Sequence, residues 1–258
     1  MKTVDLNCDL GESFGAYTSL MEMDRLILPH ISSANVACGF HAGDPFVMRK
    51  TVEAALENGT AIGAHPGLPD LQGFGRRMMK ISAEEAENYV IYQTGALQAI
   101  AAACGGSVRH VKPHGALYNM AAKDTAIAEG IARGIKSAGS NILFVCLFGS
   151  CMVQAAQKYG IPYACEVFAD RAYNDDGTLV LRTQSGSVIT DEKEAVRRTL
   201  RMVLDGEVTS ITGKTVSVRA DTICVHGDNP KAVEFVRQIR AELEKNGIQI
   251  APPDIRNL

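Results

Sequence analysis

Tryptophan is absent from this chain, and its Lys and Arg residues, 26 against 29 Asp and Glu, are scattered rather than clustered. With a formal net charge of −3 there is no electrostatic footprint for nucleic acid. The longest unbroken apolar run, Ile142 to Phe148, falls far short of a membrane span. The first ten residues, MKTVDLNCDL, carry an acid early and no apolar stretch of signal-peptide length. A cytoplasmic protein is expected. The seven cysteines, at positions 8, 38, 104, 146, 151, 165 and 224, include no CxxC pair. Their odd count suits a reducing compartment better than a disulfide framework. There is no Pro/Ser-rich linker, low-complexity segment or repeat. A nucleotide-binding P-loop is also lacking. Gly213-Lys-Thr215 matches the end of one, but Val208 stands where its first Gly belongs and a strand follows. Gly11-Glu-Ser-Phe-Gly15 shares only its end glycines with a nucleophile elbow, which puts Ser in the middle.

What is present is alternation. Short β-branched or apolar runs are expected as strands at Thr3–Cys8, Ala34–Cys38, Ala61–Ala64, His110–Lys112, Ile142–Val145, Tyr163–Val167 and Thr222–His226. Helical patterns follow or precede them at Ser19–Leu28, Gly43–Asn58, Ala83–Ala103, Thr125–Ala138, Ser150–Tyr159, Asp191–Leu204 and Pro230–Asn246. Ser82 with Glu85 forms a capping box. Such alternation implies a parallel sheet with right-handed crossovers. Seven units over 258 residues suit one domain, residues 1–258, closed into a TIM-like β/α barrel, with an open doubly wound sheet as the alternative. Thr178–Arg182 and Thr215–Val218 fall outside the pattern and are expected to pair as a small β-hairpin insertion.

Side chains alternate faces along a strand. Asp5, Asn7 and Asp9 therefore share one face of the first strand, and His110, Lys112 and His114 one face of the fourth. Glu166 points away from Cys165 and Val167, while His226 and Asp228 end the seventh strand. A parallel barrel ordinarily fills its lumen with Val, Ile and Leu. Burying these charges unpaired would cost several kcal/mol each, an order-of-magnitude figure. The face either meets water and substrate or forms a paired network. Both arrangements place the polar set at the C-terminal mouth, where barrel enzymes keep their sites.

The loops after these strands carry the remaining candidates. In Asn35-Val-Ala-Cys-Gly-Phe-His-Ala-Gly-Asp-Pro45, Asp44 and Pro45 start a helix, and His41 has no such structural duty. Gly63-Ala-His-Pro-Gly-Leu-Pro-Asp70 presents His65 and is followed by Arg76 and Arg77, either of which suits a carboxylate or a solvated loop. Lys112 is placed to neutralise an oxyanion or to pair with Glu166 or Asp9. His114 is a candidate proton shuttle. Glu166, Asp170, Arg171 and Tyr173 leave the sixth strand, and Asp175 and Asp176 read as turn residues. His41, His65, His114 and His226, with Asp9 or Glu12, offer metal ligands, although the two-His helix spacing of a metalloprotease is absent.

Taken together, six blocks resemble the LamB/YcsF family. They are Asp5-Leu-Asn-Cys-Asp-Leu-Gly-Glu-Ser-Phe-Gly15, Cys38-Gly-Phe-His-Ala-Gly-Asp44, Gly63-Ala-His-Pro-Gly67, Lys112-Pro-His-Gly-Ala-Leu-Tyr-Asn119, Glu166-Val-Phe-Ala-Asp-Arg-Ala-Tyr173 and His226-Gly-Asp-Asn229. The resemblance covers nearly the whole chain. It implies a seven-stranded barrel of the glycoside hydrolase/deacetylase type. It also implies ATP-dependent hydrolysis of 5-oxo-L-proline to L-glutamate, with ATP as co-substrate together with Mg, and 5-oxoprolinase subunits B and C as partners. A homo-oligomer is left open.

For that substrate the residues distribute as follows. Arg76 or Arg171 binds the carboxylate, and Lys112 stabilises developing negative charge. Asp9 or Glu166 activates water. His41, His65, His114 or His226 moves protons, with His41, His65 and His226 the candidate metal ligands. Asn7, Glu12, Asp170, Tyr173 and Asp228 complete the substrate contacts. The competing functions are a stand-alone metal-dependent deacetylase or amidohydrolase, and a non-catalytic regulatory subunit.

Overall fold

The structure, a computed structural model, describes residues 2–15, 19–225 and 230–254. In chain order these form β1 (Thr3–Leu10), α1 (Ser19–Ile27), β2 (Ser33–Ala37), α2 (Pro45–Glu57), β3 (Ala61–His65), α3 (Ala83–Ala103), β4 (Val108–Val111), α4 (Gly115–Lys123), α5 (Thr125–Ala138), β5 (Leu143–Leu147), α6 (Cys151–Tyr159), β6 (Tyr163–Phe168), α7 (Glu192–Leu204), β7 (Glu207–Thr209), β8 (Thr215–Ser217), β9 (Thr222–Val225), α8 (Pro230–Lys245) and β10 (Gln249–Ile250). Seven parallel strands run β1-β2-β3-β4-β5-β6-β9, and β9 pairs back onto β1 to close the barrel. The two-residue β10 adds to the start of β1, outside the ring.

The closed ring has two faces with different chemistry. Leu6, Cys8 and Leu10 of β1 point outward into the main apolar core, as do Phe144 and Cys146 of β5. Asp5 and Asn7 point inward and are buried. On β5 and the first half of β6 the lumen face is apolar, with Leu143, Val145 and Ala164 forming a cluster of their own below Glu166.

Helix ends follow local chemistry. The Asp44 carboxylate accepts the Phe46 and Val47 amides at the start of α2, and Ser82 and Glu85 complete the capping box of α3. α5 lies tight against α3 because Gly130 carries no side chain. A Cβ there would sit 2.2 Å from the Ala83 carbonyl oxygen.

The expected hairpin forms with a different partner. Thr215–Ser217 pairs antiparallel with Glu207–Thr209, which carries no strand signal in the sequence. Thr178–Arg182 instead folds back on its own neighbourhood, with Tyr173 bridging Leu179 and Arg171 bridging Val188. Asp175 ties the two regions together, accepting from Ser210 Oγ at 2.7 Å and Thr212 Oγ1 at 2.6 Å. α4 is a helix where the sequence suggests only a mouth loop. Among the described residues, no helix is long and apolar enough to cross a membrane.

Candidate active site

The lumen floor is a paired network. The Asp5 carboxylate accepts hydroxyl bonds from Ser32 at 2.6 Å, Ser33 at 2.7 Å and Thr222 at 2.5 Å. Burial raises its pKa against the pull of those donors. His110 reaches Asn35 Oδ1 at 2.6 Å by passing over Gly63, where a Cβ would lie 1.9 Å from the ring. Burial, with Lys112 nearby, pulls the His110 pKa down to about 3, so the ring is neutral.

Above the floor, barrel closure brings β1, β4 and β6 onto one ammonium. Lys112 Nζ lies 2.8 Å from Glu166 Oε1, 3.0 Å from Asp9 Oδ1, 3.2 Å from Asn7 Oδ1 and 3.0 Å from Cys224 Sγ. Burial works against this charge, but Asp9 and Glu166 more than offset it, and the Lys112 pKa ends well above its usual value. Both ion pairs anticipated as alternatives are present at once. Asn7 Nδ2 also donates to Glu166 Oε1 at 3.1 Å. Glu166 Oε2 and the Tyr118 hydroxyl are buried and, among the described residues, lack a partner with good hydrogen-bond geometry. They are near enough that, after burial, Glu166 is the main cause raising the Tyr118 pKa.

At the mouth three imidazoles meet two acids. His65 Nε2 is 3.4 Å from Asp9 Oδ2 and 3.0 Å from His114 Nδ1. His41 stacks on His114, with centroids 3.7 Å apart, and its Nε2 lies 3.3 Å from Glu12 Oε1. Burial holds the pKa values of His41 and His114 well below normal, and the neighbouring rings add to it. Phe74 organises this cluster. It is the one non-glycine residue at positive φ (53°) among the described residues. That conformation turns its carbonyl to within 2.8 Å of His114 Nε2. Its ring meets His41 and His114 edge-on.

These groups open onto a cavity of about 690 Å³ whose wall includes Asp9, Glu12, Asp24, His65, Phe74, Arg76, Lys112, His114, Tyr118, Lys123, Phe168, Arg171 and Arg182. Its size falls in the usual range for small-molecule sites. Arg76 lines it, whereas Arg77 turns away to a close pair with Asp70. Arg171 is anchored by its Nη2, which donates to the Val180 carbonyl at 2.6 Å. Burial, with Arg182 nearby, brings its pKa down to about 10.

Not every candidate reaches the cavity. Glu166 and Asn7 lie beneath Lys112, and His41 lies behind His114 and Glu12. Tyr173 is buried off the wall, its hydroxyl accepting the Phe168 amide at 2.9 Å. Asp170 is likewise not on the wall, and its carbonyl accepts the Ile189 amide. His226 and Asp228 lie outside the described residues. Sequence reasoning missed Asp24, Phe74, Tyr118, Arg182 and Cys224. Tyr118 and Cys224 fall inside or beside recognised blocks, whereas Asp24 and Arg182 carry no local signal.

The LamB/YcsF family profile matches residues 4–257. A Bacillus cereus relative, named as a subunit of 5-oxoprolinase, is 56% identical over 254 residues, covering 98% of this chain and 100% of the relative. The crystal structure of a lactam utilization protein from Thermus thermophilus superposes with a TM-score of 0.90 at 47% identity, covering 96% of this chain and 99% of that one. A polysaccharide deacetylase from Bacillus cereus shares the fold alone, at TM-score 0.50 and 13% identity, over 100% of this chain and 95% of its own.

Proposed function

The chain belongs to the LamB/YcsF family, and on that premise we propose that it is the barrel subunit of a 5-oxoprolinase, opening 5-oxo-L-proline to L-glutamate at the expense of ATP. One observation carries the reading. Lys112, bracketed by two carboxylates, reaches a cavity whose wall also holds Arg76, Arg171 and Arg182. A lactam with a carboxylate needs that combination: cations to hold the anion, and a charge centre where the ring amide is attacked. The relatives' names, one for oxoprolinase and one for lactam utilization, support the same substrate class.

The two carboxylates take different roles. Asp9 faces the cavity and activates water, while fully buried Glu166 fixes the ammonium. Lys112 stabilises charge on the lactam oxygen as the carbon becomes tetrahedral. The proton that Asp9 takes from water is handed on to the leaving ring nitrogen. Opening a resonance-stabilised amide whose product tends to reclose needs coupling. Phosphorylation of the amide oxygen by ATP, with Mg, would supply it. The cavity is far larger than a five-membered lactam requires, which leaves room for a phosphoryl donor brought by subunits B and C.

The test is glutamate release from 5-oxoproline with ATP, using this chain alone and then with both partner subunits. Release only in the complete mixture supports the reading. ATP-independent amide hydrolysis by the chain alone would favour a stand-alone amidohydrolase. Unchanged turnover when this chain is omitted would leave it a regulatory role at most.

A further inference from the structure

The three imidazoles at the mouth are wired in a way that acid–base work does not require. His65 Nδ1 lies 2.6 Å from the Lys112 carbonyl oxygen, and His114 Nε2 lies 2.8 Å from the Phe74 carbonyl oxygen. A carbonyl only accepts, so each of these nitrogens holds its ring's proton. In the neutral rings the opposite nitrogens, His65 Nε2 and His114 Nδ1, are bare lone pairs, and they face each other at 3.0 Å. Among the described residues, their other close neighbours are also acceptors. Glu12 Oε1 is 3.5 Å from His114 Nδ1, and Asp9 Oδ2 is 3.4 Å from His65 Nε2. His41 directs Nε2 at the same Glu12 oxygen, and its Nδ1 has no hydrogen-bond partner among the described residues.

We propose that Glu12, His41, His65 and His114 form a binding site for a first-row divalent cation, zinc being the best match, at the rim of the cavity. One ligand atom from each of the four lies within 4.8 Å of all the others. A tetrahedral site with bonds of about 2.0–2.1 Å has edges of about 3.3–3.4 Å. Three of the separations, 3.0, 3.3 and 3.5 Å, straddle that edge; His41, stacked on His114 with centroids 3.7 Å apart, must turn its ring out of the stack for both to ligate one ion. Three imidazoles and one carboxylate suit zinc, cobalt or manganese rather than calcium or magnesium, which take oxygen ligands. The Lys112 and Phe74 carbonyls act as the outer partners that fix the ring tautomers of metal-bound histidines. Glycine at two positions makes the cluster possible. A Cβ at Gly75 would meet His41 and His114 at 2.7 and 2.8 Å, and one at Gly67 would lie 2.6 Å from His41 Nδ1. The set is drawn from the residues that the sequence offers, with Glu12 rather than Asp9 as the carboxylate, and His226 lies outside the described residues.

The experiment measures binding without turnover, so its outcome is separate from that of the oxoprolinase assay. The full-length chain is stripped with a chelator, desalted and titrated with Zn²⁺ by calorimetry, and with Co²⁺ by visible absorption. One equivalent per chain is expected. His65→Ala and Glu12→Gln should each weaken binding by on the order of 100-fold, while His30→Ala, away from the mouth, keeps the wild-type affinity. Near-UV circular dichroism checks folding, and Glu12→Gln at the half-buried rim carries the test should His65→Ala not fold. No stoichiometric uptake at micromolar zinc, or undiminished binding in Glu12→Gln, would overturn the proposal. A proton shared by two rings would give that result.

Discussion

Lys112 shows how a single side chain can be both structural and chemical. Its side chain is 3% exposed, and its ammonium neutralises one fully buried carboxylate, Glu166, and one at the cavity wall, Asp9. Removing one partner of such a cluster strands the others, at a cost of about 3–5 kcal/mol. Lys112→Ala should lose that much in urea denaturation. Adding Glu166→Gln should return part of it, because one stranded charge goes. A coupling below about 0.5 kcal/mol would mean the two sites are independent. Asp24 supplies a pH signature. Burial, with Glu12 nearby, raises its carboxyl to about 7, although Gly11 donates to it at 2.9 Å. A pKa higher in the folded than in the unfolded state gives stability at low pH that is lost as pH rises. The wild type should therefore fall behind Asp24→Asn between about pH 4 and 7, with the difference constant above that. Denaturation midpoints across the range check it, and a difference independent of pH would contradict the assignment.

At the scale of elements, the barrel strands and most helices were legible because their signals are local. Parity along β1 placed Asp5, Asn7 and Asp9 on one face, and the capping box of α3 lies where its residues indicate. What was not legible depends on tertiary contact. Thr178–Arg182 alternates like a strand, yet its pairing is decided by Arg171 and Tyr173. Phe74 acts through its backbone conformation, which no side-chain pattern announces. Gly63 is informative only once β3 and β4 are neighbours. Gly63→Ala should cost about 3 kcal/mol or more, at the upper end for overpacking, because the His110 ring must leave Asn35. Gly95→Ala, inside α3 with open space at the Cβ, should instead stabilise by about 0.5–1 kcal/mol. Melting temperatures moving in opposite directions would bear out both.

Across the whole molecule, closure of the sheet turns a set of separate motifs into one site. Asp9, Lys112 and Glu166 are far apart in sequence, and the polar side of the lumen stacks them from floor to mouth. Leu143, Val145 and Ala164 form a buried apolar cluster beside that network. Sequence could indicate which residues are unusual for a barrel lumen, but not which of them stop below the cavity. Asp9 reaches it and Glu166 does not, and this difference separates the proposed base from the group that holds the ammonium. The most direct test is the turnover number of Asp9→Asn in the enzyme reconstituted with both partner subunits. We predict a loss of at least about 100-fold, with the variant still folded and still assembled. Turnover within a few-fold of wild type would show that the water is activated elsewhere.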